Sequence, residues 1–303
     1  MVTLPTAKRT STVSSAKWEQ SFPNEIETEK SSALFVHRFI NITTAFILDK
    51  RGLLEDKCFK TRAIEKFLMP IFCKDHPISA RLKEKIDALK EAINNKYLLE
   101  FALVFYRKPD QEDVIEVYSF RLMYGEEGEI SLSVDTGLGS DVFSQNLTSA
   151  TFTDLTTTKK YFVDTIKKLH RCIKNLESFP EDTDASFRIS FTKHAPEDYM
   201  PKGFDESDKF YKIDPEVTKD QFGILCGNHH KLQLLAASQF WKASNYDPNK
   251  TMNSSFNQSI YEPVAGTSKA QPTKGTEKKA ERAGRRFPYG KSASMRSSGT
   301  NSS

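Results

Sequence analysis

The 303-residue chain is 38% apolar and 28% charged with a net charge of +4, enough apolar content for one or two packed domains. Its charge is uneven: residues 243–303 hold ten Lys/Arg against four Asp/Glu, which leaves 34 against 36 in residues 1–242. The body is therefore close to neutral overall, unlike a basic domain whose main ligand is nucleic acid, and direct sequence-specific DNA binding is not expected.

The first twenty residues are polar and read as a disordered segment, 1–20. They contain no apolar core of a signal peptide, and no stretch of the chain approaches the ~18 apolar residues of a membrane span, so neither secretion nor a membrane is expected. Residues 28–52, "TEKSSALFVHRFINITTAFILDKRG", read as a helix capped by Ser31 or Ser32 and ended at Gly52. Phe35, Val36, Phe39, Ile40, Ile42, Phe46 and Ile47 cover more than one of its faces, so it should be the surrounded, central helix.

A shorter helix is expected over about 57–69, stopping at Pro70, and a longer one from Pro77 to about 95 with Ile78, Leu82, Ile86, Leu89 and Ile93 on one face. A three-stranded antiparallel meander follows: "YLLEFALVFYR", "VIEVYSFRLMY" and, after a turn at Gly125–Gly128, "EISLSV". Next, "TKKYFVDTIKKLHRCIKNL" places Phe162, Ile166, Leu169, Ile173 and Leu176 on one helical stripe, and a strand "SFRISFT" succeeds it. Residues 193–242 are irregular, the kind of long segment that is functional or unstructured within a compact domain. Beyond 242 the composition turns to Ser, Asn, Thr, Lys, Pro and Gly, which cannot offset the entropy of ordering, so residues 243–303 read as a disordered basic tail.

Few residues suggest chemistry. Asp135-Thr136-Gly137 matches the aspartic-protease triplet, but that reaction needs two such carboxylates and the chain has one triplet, so a Gly-rich loop explains it as well. His229 and His230 are adjacent and diverge in a strand, with no Cys or carboxylate at ligand spacing. Cys58, Cys73, Cys172 and Cys226 form no CxxC pair and read as reduced thiols. Gly137 and Gly139 lack the rest of a nucleotide-binding fingerprint. No enzyme activity, metal or cofactor is expected. Ser144-Gln145 and Ser238-Gln239 match the Ser-Gln core of DNA-damage kinases, although Ser238 lies in an apolar run that favours burial. Lys278-Lys279 and Arg285-Arg286 read as a nuclear-import patch or a solvated charge cluster.

The order of these elements, with "SFPNEIETEKSS", "RGLLED", "DALKEAINNKYLLEFALVFYRKPDQEDVIEVYSFRLMYG" and "APEDYMPKGF", resembles the HORMA domain in its meiotic chromosome-axis form, over about residues 21–242. The resemblance implies an α/β (α+β) fold, an antiparallel sheet packed on helices with a C-terminal safety belt at about 193–242. Such a belt wraps a short closure-motif peptide, and the residues implied for it here are Pro196, Tyr199, Pro201, Gly203, Phe204 and Trp241. With a short tail and no zinc or winged-helix module behind the domain, the chain is most similar to the nematode axis proteins. The partners implied are other HORMA-domain axis proteins and a remodelling AAA+ ATPase, at the chromosome axis of meiotic nuclei. A checkpoint or DNA-repair HORMA adaptor is the alternative.

Tails in this family often carry a closure motif. The best candidate here is about 283–298, with Arg285, Arg286, Phe287, Pro288, Tyr289, Gly290 and Lys291 at its centre. The 42 residues from 243 to 284 behave as a flexible linker with an end-to-end distance of roughly 32–39 Å, enough for the tail to reach its own domain or a neighbour's.

Overall fold

A computed structural model describes residues 18–125 and 150–241, apart from 66, 208 and 209. Helix α1 (Glu29–Lys50) runs through the centre and buries side chains all round its circumference, as its apolar pattern predicts. Its cap is Thr28 rather than Ser31 or Ser32: the Thr28 hydroxyl accepts from the Ser31 amide at 3.2 Å, and Ser32 is buried against His230. Gly52 follows the helix at φ 65°, the left-handed turn that favours glycine. By length and composition α1 could cross a membrane, contrary to the expectation that no stretch comes near; its packing in the core accounts for that apolar content instead.

The helix expected over 57–69 is a hairpin, β1 (Phe59–Ile64) and β2 (Phe67–Phe72), paired from Phe59↔Phe72 to Ile64↔Phe67. The reversal passes through Glu65 at φ 52°, a position where such turns usually carry Gly or Asn, so the usual hairpin signal is missing. Pro70 is tolerated because, among the described residues, this sheet has two strands, each with one edge unpaired. Helix α2 (Pro77–Asn94) starts on proline as expected and buries Ile86, Leu89, Ala92 and Ile93.

Strands β3 (Leu98–Arg107) and β4 (Val114–Tyr124) pair antiparallel. Helix α3 (Leu155–Lys174) is capped by the Asp154 carboxylate and buries Phe162, Ile166, Leu169 and Ile173. Strand β5 (Thr183–Phe191) follows. The stretch expected to be irregular to 242 is so only as far as residue 218; it then forms a second hairpin, β6 (Lys219–Cys226) and β7 (His230–Ser238), around Gly227-Asn228. The main sheet has the order β5-β3-β4-β7-β6. The expected third meander strand, 129–134, lies outside the described residues, and the place beside β4 is taken by β7 from Glu116↔Ser238 to Tyr124↔His230.

Helices α1 and α3 cover one sheet face, where Phe39 meets Phe120 and Phe162. The domain begins earlier than residue 21. Trp18 is only 3% exposed, stacks on Phe22 at 4.4 Å and meets the edge of Phe162 at 5.6 Å, an aromatic wedge between α1 and α3. The β6–β7 hairpin fits this layer closely. A Cβ on Gly223 would lie 2.0 Å from the Thr165 hydroxyl of α3, and one on Gly227 would lie 2.4 Å from the Ser32 hydroxyl of α1.

Two buried carboxylates stand on opposite faces of the sheet. On the helix face, Glu116 receives a two-pronged contact from Arg51 (Nε to Oε1 2.8 Å, Nη2 to Oε2 3.1 Å) and hydroxyl donors from Tyr118 at 2.8 Å and Ser238 at 2.7 Å. Burial raises the Glu116 pKa and the Arg51 cation opposes that rise. Arg51 also donates to the Glu177 carbonyl and lies 3.8 Å over the Phe179 ring. Ser238 is thus 2% exposed with its hydroxyl engaged, as its apolar surroundings predict; Ser144 lies outside the described residues. The four cysteines are free.

Candidate functional site

Strands β3, β4 and β7 each have two neighbours, but among the described residues β5 is paired only with β3. Its outer edge therefore presents the alternating amide and carbonyl groups of an unfinished ladder, the feature to which an extended peptide adds. The side chains near that edge are partly exposed from Ala185 to Phe191. What distinguishes this edge from an ordinary one is the path of the chain after it: residues 192–207 bend away from β5, and residues 210–218 lie back against it and then on the face opposite the helices before β6 starts at the far edge.

The outgoing part is seated on α2 and the start of β3. Thr192 donates its amide to the Tyr97 carbonyl and its hydroxyl to the Lys96 carbonyl, both close to 2.8 Å (2.7 and 2.8 Å). Tyr199 packs edge-on against Tyr97 at 5.0 Å and Phe191 at 5.6 Å, and its amide donates to the Pro196 carbonyl. Pro201 is buried. Lys202 pairs with Glu84 at 2.5 Å, and the Phe204 ring lies 5.8 Å from the Lys85 ammonium. Gly203 adopts φ 86° with the Lys85 stem 3.2 Å from where a Cβ would stand, so both backbone and space favour glycine there.

The return is fixed by Arg188 of β5, whose Nη1 donates to the Phe210 carbonyl at 2.6 Å while Nη2 donates to the Gln111 carbonyl at 2.7 Å. Tyr211 and Ile213 then enter the sheet face and pack with Ala102, Val104, Val114, Val117 and Ala237. The Tyr211 hydroxyl donates to Glu100 at 2.5 Å; the same carboxylate accepts from Ser119 and from Arg121 Nε at 3.3 Å. Burial first, and then the Glu100 charge, pushes the Tyr211 phenol well above its usual pKa, so it remains a donor throughout the accessible pH range. This strap is thus fastened at three places, α2, Arg188 and Glu100, and it frames the open β5 edge between the first two.

Tyr211→Phe keeps the ring and removes the donor. We expect it to cost about 1.5–3 kcal/mol, the scale of a hydrogen bond to a buried charge. Hydrogen exchange should show lower protection over 210–218 with α2 unchanged; equal protection in both regions would dismiss the fastening role.

Of the residues implied for the belt, Pro196, Tyr199, Pro201, Gly203 and Phe204 lie together on the outgoing part of the strap. Trp241 does not join them: it stacks on Phe222 of β6 at 5.7 Å, at the opposite edge of the sheet. Residues 285–291 lie outside the described residues. Sequence reasoning missed Arg188, Tyr211 and Glu100. A charged residue amid the apolar run 98–106 was the available signal for Glu100, since a carboxylate there must find buried partners.

A sequence model of the HORMA domain matches residues 32–230. The rat HORMA domain-containing protein 1 is 28% identical over 231 residues, 75% of this chain and 57% of the relative, so the chain spans little more than half of that protein's length. Two solved structures share the fold. HTP-1 of Caenorhabditis elegans bound to HTP-3 motif-1 superposes with a TM-score of 0.70 at 21% identity, over 76% of this chain and 99% of that one. HTP-2 of the same organism bound to the HIM-3 closure motif gives 0.67 at 22% identity, over 74% and 96%.

Proposed function

This chain belongs to the HORMA-domain family, and from that premise we propose that it is a non-enzymatic component of the meiotic chromosome axis that captures closure-motif peptides of partner HORMA proteins. The observation that carries this reading is the open edge of β5 framed by the strap at Tyr199 and Phe210. A peptide added there gains main-chain hydrogen bonds from the edge while alternate side chains face the strap. The strap must unfasten before release, which slows dissociation more than it changes association. The names of the solved relatives support the mode, since the chains they describe are bound to a closure motif or a numbered motif of another protein.

The chain's own 283–298 segment is the first peptide to try, in cis or from a neighbouring copy, and a remodelling ATPase would supply the work of reopening the strap. Binding of a fluorescent peptide of residues 280–298 to residues 1–250 should be slow to reverse. Phe287→Ala with Tyr289→Ala in the peptide should weaken it by tenfold or more, the usual loss of aromatic anchors (~1.4 kcal/mol per tenfold). Arg285→Ala with Arg286→Ala should weaken it far less. A peptide indifferent to loss of both aromatics would remove the tail from this scheme; closure motifs of axis proteins would then be the ligands to test.

A further inference from the structure

We infer that the outward face of α3 is a contact site for the phosphate backbone of duplex DNA, read without regard to sequence. Six of the helix's twenty residues are Lys or Arg, against the single carboxylate of Asp164. This concentration is hidden by the near-neutral charge of the whole body. Lys160, Asp164, Lys167, Arg171 and Lys174 recur at steps of four, three, four and three, so they form one stripe opposite the buried face of Phe162, Ile166, Leu169 and Ile173.

The flanking cations are already paired: Lys168 with Asp220 at 2.7 Å and Lys159 near Glu65 at 3.9 Å. Lys160, Lys167 and Lys174 make no ion pair among the described residues. At the helix's last turns the field is felt by His170, whose pKa is lowered first by burial and then by Lys50 and Lys174.

Over 14 helical steps the stripe is about 21 Å long, the axial length of about six phosphates of one strand. A protein partner would need apolar anchors at its centre, and the stripe has none; Tyr161, 48% exposed, projects about 100° away from it. A polyanion needs only the charge and its spacing. Helix α3 packs on β6, at the opposite edge of the sheet from β5, whereas the strap is held by α2, Arg188 and Glu100, so DNA and peptide do not compete for one surface.

The test uses the full-length chain and a labelled 20-base-pair duplex of random sequence, titrated by anisotropy between 50 and 200 mM NaCl. Lys160→Glu with Lys167→Glu and Lys174→Glu should lower affinity at least tenfold and flatten the log–log salt dependence by about three. Asp164→Lys should tighten binding and steepen that dependence by about one or more. Because the basic tail is identical in every variant, an unchanged affinity in both would assign all DNA contact to the tail and overturn the inference. Tighter binding of a poly-Glu peptide than of the duplex would overturn it in favour of an acidic protein partner. Unchanged urea midpoints establish that the variants are folded.

Discussion

Replacing Arg51 by Met is expected to cost about 3–5 kcal/mol of folding stability, the scale for stranding a buried carboxylate. The cation is the only counter-charge among the described residues in contact with Glu116; without it, the Tyr118 and Ser238 hydroxyls remain as donors to a carboxylate with no exposure. The deficit should depend on pH. With the cation gone, the folded carboxyl's pKa rises further above its unfolded value of 4.5, so folding favours the protonated form. Stability of the variant is then best below that unfolded value and is lost as pH rises through the folded pKa. Urea melts should show the gap to the parent protein widening from pH 5 to 7.5. Arg51→Met with Glu116→Gln should be the more stable of the two variants at pH 7.5; equal values would mean that Arg51 acts through packing on Phe179 alone.

Gly223→Ala is the second large effect expected. The added methyl must occupy the position 2.0 Å from the Thr165 hydroxyl and 3.1 Å from its Cβ, so either β6 lifts from α3 or the helix shifts. Overpacking of this kind costs about 1–3 kcal/mol. Thr165→Ala removes the nearest atom, so the double variant should regain most of the loss, although Thr165→Ala alone should be mildly destabilising. Non-additivity of about 1 kcal/mol or more in that cycle would establish the direct clash; simple additivity would place the cost elsewhere.

Which parts of this arrangement were legible in the sequence follows from where the signals are local. Pro77 starts α2 as a proline at the first helical position should, and the stripe from Phe162 to Ile173 marks α3 without ambiguity. The β1–β2 hairpin was missed because its reversal at Glu65 carries none of the residues that announce one. The β6–β7 hairpin was missed for another reason: β7 is flanked by two strands and buried on both faces, so the brief alternation of Lys231 to Leu234 gives way to the unbroken apolar run Leu234–Ala237, although Gly227-Asn228 before it was a turn signal. The buried charges are the least legible: Glu100 stands out within its apolar run, but nothing local names its partner Arg121 or pairs Arg51 with Glu116, which the fold brings together over 65 positions. The strap was reached through family resemblance, and its fastening points at Arg188 and Tyr211 emerged only from tertiary geometry.

The place of β7 between β4 and β6 also dictates an order of events during synthesis. β4 ends at Tyr124 and its second neighbour begins at His230, so at about 5–20 residues per second a growing chain leaves that edge bare for on the order of 5–20 s. Pairings between such distant segments are slow to find even in a finished chain. Until the last strand arrives, the nascent sheet ends on β4, a strand that is internal in the finished protein, and a fragment truncated before Lys219 would keep that buried strand as an open edge, a template for aggregation.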